Sequence, residues 1–149
     1  ALGGVNAGQT NGYQNDSDRT PTADFTSRAP YAGRLTKIDV SAFIPVGEFI
    51  ANITPKFYFY SGSTLPSADG DAGMGTTNSS NVSLGTQTKD TSFSVSKGYS
   101  EFADATVGGG TNTLNFSAAD YLSIVLDPET TSGYFYANVA MTFEFLITD

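Results

Sequence analysis

The residue types that most often do chemistry near neutral pH are missing from this 149-residue chain, which has no histidine and no cysteine. Their absence removes Ser-His-Asp and Cys-His nucleophile pairs, a histidine general base, and zinc sites built on nitrogen and sulfur. It also removes disulfides, so stability must come from packing or oligomerisation, and it does not identify a compartment. Carboxylates remain, and paired carboxylates can hydrolyse if they are fixed across a cleft. Asp104, Asp120, Asp127 and Glu129 are the candidates, but nothing in their spacing sets two of them that way. Asp120 reads instead as the cap of a turn. No catalysis and no cofactor are expected.

Ser67-Ala68-Asp69-Gly70-Asp71-Ala72-Gly73 has the outline of a calcium loop. Such a loop needs a closing carboxylate at its twelfth position, which here is Ser80, and flanking helices. It reads as a solvated turn, and no metal is expected. Five Asn-x-Ser/Thr sequons, at Asn15, Asn52, Asn78, Asn81 and Asn115, are what a chain rich in Asn, Ser and Thr produces by chance.

Charge narrows the partners. Residues 1–37 hold Arg19, Arg28, Arg34 and Lys37 against Asp16, Asp18 and Asp24. The remainder holds three basic and twelve acidic residues, and the whole chain carries −8. Phosphate binding needs clustered Lys and Arg, so an acidic body argues against nucleic acid and anionic membranes. No run approaches the roughly 20 apolar residues of a membrane span. The opening Ala1-Leu2-Gly3-Gly4-Val5 has no basic n-region followed by an apolar h-region, so no export signal is expected within it. A signal removed earlier would leave the same start.

The elements that must position any site are strands. Apolar residues make up 39%, and 16 glycines, eleven Phe and eight Tyr suit short strands joined by many turns. Residues 1–31 carry no apolar period and are broken by Gly3, Gly4, Gly8, Gly12, Pro21 and Pro30. They read as an extended N-terminal arm before a domain at 32–149. A polar arm of this length orders only where something packs on it. Tyr13, Arg19, Phe25, Arg28 and Tyr31 are its candidate docking residues, on a neighbouring subunit or partner.

Strands are expected at Arg34–Ile44, about Phe49–Tyr60, weakly at Asn81–Gly85, around Phe93 and Val95, at Thr111–Phe116, at Tyr121–Leu126 and along the last segment. That last segment alternates for thirteen residues, with Phe135, Ala137, Val139, Met141, Phe143, Phe145 and Ile147 on one face. The stretch 61–90 reads as one long polar loop, and loops of that length tend to be functional or disordered. Seven or eight strands without a convincing helix predict an all-β fold, a two-sheet antiparallel sandwich of jelly-roll type. By period-2 alternation Tyr58, Tyr60, Tyr134 and Tyr136 lie opposite the main apolar faces. Exposed there, they are candidate subunit contacts, or a platform for sugar rings.

Several segments in order resemble a jelly-roll module of bacteriophage virion proteins. Ala32-Gly33-Arg34-Leu35-Thr36-Lys37-Ile38-Asp39-Val40 is similar to its first strand, and Lys56-Phe57-Tyr58-Phe59-Tyr60-Ser61-Gly62 to its second. Leu114-Asn115-Phe116-Ser117-Ala118-Ala119-Asp120-Tyr121-Leu122-Ser123-Ile124 resembles the family's "Phe-x-Ala-Gly-Asp-x-Leu-x-Ile", with Ala119 where glycine is usual. The likeness covers 32–149 apart from the 61–90 insertion, and cellular sandwich domains of the tumour-necrosis-factor type share it. It implies a structural protein of the virion, either capsid decoration (cement), head fibre or fibre tip. Its implied partners are the major capsid protein or other virion subunits, its implied state a homotrimer, and its implied place the capsid exterior. In that family an extended terminus clamps neighbouring capsomers, and 31 residues can reach roughly 100 Å. The alternative implied function is a receptor- or glycan-binding fibre tip.

Overall fold

A computed structural model describes residues 2–11, 26–63, 79–104, 114–130 and 133–147, and for 2–11, 26, 79, 103 and 104 the backbone alone. Ten strands form within these residues. They are β1 (Leu2–Asn11), β2 (Thr26–Arg28), β3 (Ala32–Phe43), β4 (Lys56–Gly62), β5 (Ser79–Ser83), β6 (Ser92–Gly98), β7 (Ala103–Asp104), β8 (Asn115–Phe116), β9 (Tyr121–Asp127) and β10 (Tyr136–Leu146). One 3-10 turn, Tyr99–Glu101, follows β6. The strands make two antiparallel sheets. Sheet A has the order β1-β10-β3-β6, with β8 also on β3, and sheet B the order β2-β9-β4-β5-β7. The expected two-sheet antiparallel β-sandwich is what forms.

The core lies between the sheets and follows directly from period-2 alternation. From sheet A it takes Leu35, Ile38 and Val40 of β3, and Ala137, Val139, Met141 and Phe143 of β10. From sheet B it takes Phe57 and Phe59 of β4, Val82 of β5, and Leu122, Ile124 and Leu126 of β9. Phe59 and Phe143 meet across the sandwich at 6.3 Å between ring centroids, a tilted pair that adds specific packing to area burial. The one-residue step at Thr36 shifts the β3–β10 register, so that Lys37 faces Thr142 but Leu35 faces Phe143. Gly33 allows the close approach at the end of that ladder, because a Cβ there would collide with the Glu144 carbonyl oxygen.

Three expectations about extent change. The strand expected from about Phe49 begins only at Lys56. Pro45 and Gly47 turn the chain first, with the Glu48 N–H donating to the Pro45 carbonyl and the Gly47 N–H to Asp90 Oδ1 at 2.8 Å. Phe49 and Ile53 still reach the core from this loop, and Pro55 has no N–H to give to a ladder. The long polar stretch also yields a strand, β5, whose Val82 is buried together with the following Leu84, while residues 64–78 lie outside the described residues. Within the expected arm, Leu2–Asn11 pairs with β10 and Thr26–Arg28 with β9. Backbone ladder bonds set these pairings, and they leave no apolar period to read.

The turn before β9 is closed as its sequence predicts. Asp120 Oδ2 accepts from the Ser117 N–H at 2.9 Å, and the Asp120 N–H returns to the Ser117 carbonyl at 3.1 Å. Ala119 sits at φ 68, the left-handed region where a Cβ is strained and glycine is not. The glycine-type turn is therefore kept with alanine in it. Ala119→Gly should raise stability by about 0.5–1 kcal/mol, the strain released less the entropy of the freer unfolded chain. A thermal melt checks it, and a lower Tm would show that Ala119 is not strained.

Candidate interaction surfaces

Among the described residues the candidate carboxylates Asp120, Asp127 and Glu129 each accept a hydrogen bond from their own chain. Asp127 is fully buried, and its Oδ1 accepts from the Glu129 N–H at 2.7 Å. Glu129 Oε1 in turn accepts from the Tyr58 hydroxyl at 2.8 Å. Asp120 is occupied in its turn. No group of three or more His, Cys, Asp or Glu among the described residues could hold a metal. The Asp69–Asp71 segment and the side chain of Asp104 lie outside the described residues.

The four tyrosines divide. Tyr58 and Tyr60 do lie opposite the main core, as alternation predicts, but they are only 3% and 1% exposed. With Val125 they form a second buried cluster, their rings stacked at 6.5 Å, and Tyr121 packs against it. The expectation that they are exposed is thus corrected. A repeat of two residues says which face a side chain takes, and does not say whether that face is covered. Sheet B is buried on both faces along β4 and β9.

Sheet A is buried on one face only. Its outer face presents Tyr136, Asn138 and Ala140 from β10, Ser41 and Phe43 from β3, and Ser92, Ser94 and Ser96 from β6, all exposed. Phe43 and Tyr136 are directly opposed in register and stand 54% and 38% exposed. Tyr134 meets Tyr136 edge-on at 5.4 Å. Its hydroxyl pKa is raised above the ordinary value by the hydrogen bond and charge of Tyr136, and by the nearby charge of Glu48. Beyond Phe43 the β3–β4 turn carries Val46 at 81% and Ile50 at 100% exposure. Large apolar side chains are thus exposed at this end of sheet A, and Leu146 (67%) and Ile147 (48%) are exposed at the other end of β10.

Along the rest of the face the described charges are paired. Lys37 lies 3.6 Å from Asp39, and Arg34 Nη2 lies 3.7 Å from Glu144. Asp39 accepts from the Ser96 hydroxyl, and the Ser41 and Ser94 hydroxyls meet at 3.3 Å. These exposed ion pairs contribute little to stability. Their effect is to leave no cluster of unpaired cations for phosphate among the described residues of the face.

Of the expected arm residues, Tyr13, Arg19 and Phe25 lie outside the described residues. Arg28 lies in β2, donates from Nε to the Ala119 carbonyl at 3.3 Å and stacks on Tyr121 at 5.5 Å. Tyr31 is 44% exposed and packs edge-on against Phe145 at 6.4 Å. Both are engaged with their own chain. Sequence reading missed the group Arg34, Asn115 and Glu144, which β-pairing brings together: Arg34 is the register partner of both others.

No protein-family model and no curated protein sequence matches the chain. Among solved structures, similarity is found to a full particle of Israeli acute paralysis virus heated to 63 degrees. There the identity is 12% and the TM-score 0.33, over 99% of this chain and 75% of that one. A second similarity is to a semi-empty virus-like particle of the giant freshwater prawn Macrobrachium rosenbergii nodavirus. It has 9% identity and a TM-score of 0.24 over 100% of this chain and 96% of the other. At these scores neither superposition establishes a shared fold or function.

Proposed function

We propose that this chain is a non-enzymatic structural protein of a virus particle, a jelly-roll decoration subunit that associates through the outer face of sheet A. The jelly-roll reading is supported by strand order. The chain passes between sheets as A, B, A, B, B, A, B, A through β1, β2, β3, β4, β5, β6, β9 and β10, and pairs them as β1-β10-β3-β6 and β2-β9-β4-β5. This order fits two Greek keys wound into two four-stranded sheets, which supports a jelly roll. The decoration reading, with a homotrimer on the capsid exterior, follows from the sequence resemblance.

The single observation that carries an assembly role is the asymmetry of the sandwich. One outer face is buried within the chain, while the other carries exposed Phe43 and Tyr136 at one end and Leu146 at the other. Aromatic anchors on an otherwise small, weakly charged surface are the composition of an interface core. Repeated copies turn modest contacts into firm attachment. An arm clamp on a neighbouring capsomer would have to release the β1–β10 pairs that Leu2–Asn11 makes within its own chain.

Light scattering on the purified chain tests the reading. The expected molar mass is near three times 15.6 kDa. A Phe43→Ser, Tyr136→Ser double variant should fall to monomer with an unchanged far-ultraviolet spectrum. A monomeric parent protein would overturn the trimer, and a trimeric double variant would overturn this face as its interface.

A further inference from the structure

Among the described residues β6 is an edge strand of sheet A, paired with β3 and with no other strand. One bond fixes which of its backbone groups face outward. The Ile44 N–H donates to the Thr91 carbonyl at 3.0 Å, and these two residues continue the register that opposes Phe43 to Ser92. Antiparallel ladders alternate hydrogen-bonded and non-hydrogen-bonded pairs. Phe93, Val95 and Lys97 are therefore bonded to Ala42, Val40 and Ile38, and the N–H and C=O groups of Ser92, Ser94 and Ser96 point away from β3. The side-chain contacts Ser41–Ser94 and Asp39–Ser96 agree, since side chains approach most closely in non-hydrogen-bonded pairs.

Little guards this edge. Proteins commonly block an edge strand with proline, a bulge or a charge. β6 has no proline and no register shift, and its one charge, Lys97, lies 3.7 Å from Glu101. Cover is also incomplete, because Phe93 is buried but Val95, on the same inward face, is only half-buried. Both ends of the edge are closed. The Gly98 N–H already donates to Glu101 Oε2 at 2.8 Å, and Asp90 turns the chain at φ 62.

We propose that β6 pairs edge to edge with β6 of a second copy, antiparallel about a two-fold axis at Ser94. The strand's own pattern selects this partner and this register. With Ser94 opposite its counterpart, Ser92 meets the second copy's Ser96, and every outward donor and acceptor of the three serines finds a partner. Sliding by two residues sets a serine against the Asp90 turn or against the occupied Gly98. Sliding by one sets outward groups against inward ones. In the selected register Phe93 lies against the second copy's Val95, an aromatic–β-branched pair that stabilises cross-strand contact and covers the half-buried valine. Lys97 falls opposite Thr91, so no like charges meet. One strand edge buries less than the roughly 1,200 Å² of a lasting interface, so the pairing forms where copies are held close. It is two-fold and lies on an edge, and it does not rest on a trimer through the outer face.

Disulfide trapping tests it, and a chain without cysteine makes each trap a single site. Paired Cα atoms at Ser94 would stand about 5.5 Å apart, within disulfide reach. Under mild oxidation of the full-length chain, Ser94→Cys should form a covalent dimer at least about tenfold faster than Ala118→Cys, an exposed position before β9. Adding Ser96→Pro should bring the rate down to that of Ala118→Cys. Proline there removes an outward N–H and no ladder bond within the chain, so the Tm should stay within about 2 °C. Val95→Pro takes an N–H that β3 uses and should lower the Tm by about 6 °C or more. Trapping of Ser94→Cys no faster than Ala118→Cys would overturn the second copy and leave the edge to a strand of another protein. Faster self-trapping of Ser92→Cys would overturn the register, and unchanged trapping with Ser96→Pro the edge pairing. A Ser96→Pro melt as low as that of Val95→Pro would overturn the outward set of backbone groups.

Discussion

Replacing Phe143 with alanine is expected to destabilise the fold by about 3–5 kcal/mol, the range for deleting a buried aromatic ring without collapse of the site. Phe143 is 1% exposed. Its ring meets Phe116 at 5.7 Å, Phe145 at 5.8 Å and Phe59 at 6.3 Å, so three rings lose a partner at once. Those neighbours come from β8, β10 and β4, which leaves no single element free to move into the gap. A loss of this size is a large part of the roughly 5–15 kcal/mol that holds a domain of ordinary stability. Urea unfolding of the variant and its parent measures it. A change below about 1 kcal/mol would mean that the β8–β10 aromatic cluster is not the centre of the core.

Gly133→Ala is expected to cost about 2–4 kcal/mol, for two separable reasons. The backbone there has φ +103, which an L side chain tolerates poorly. The added Cβ would also collide with Phe49 Cε1, stand 2.6 Å from its Cδ1 and lie 3.1 Å from the Glu48 carbonyl oxygen. Phe49 is 4% exposed within the main core and has nowhere to retreat. The two reasons come apart in a double-mutant cycle. In a Phe49→Ala background the collision is gone, so Gly133→Ala should then cost only the backbone strain. Equal costs in the two backgrounds would show that Phe49 is not what Gly133 makes room for.

Local pattern made much of the sandwich legible. The alternation from Ala137 to Phe143 is the buried face of β10, and the Phe57–Phe59 and Leu122–Ile124–Leu126 faces meet it across the core. Pleating obliges neighbouring side chains to take opposite faces, so these assignments need no knowledge of the partner strand. The Ser117–Asp120 turn was legible for a similar reason, since an aspartate three residues on can reach back to a backbone N–H. β1 was not. Its glycines and polar residues give no period, and its place beside β10 is set by a ladder of backbone bonds.

By itself the sequence determined the all-β class, the inward faces of the long strands and the absence of histidine and cysteine chemistry, because these depend on composition and on a two-residue repeat. Only the tertiary structure decided which outward face meets water. Tyr58 and Tyr136 obey the same alternation, yet one is buried beside Val125 and the other stands open opposite Phe43. It also decided that Arg34, Asn115 and Glu144 share one hollow. Residues so far apart in the chain meet only through the register of β3 with β8 and β10, and register is a property of paired strands, which no single segment carries.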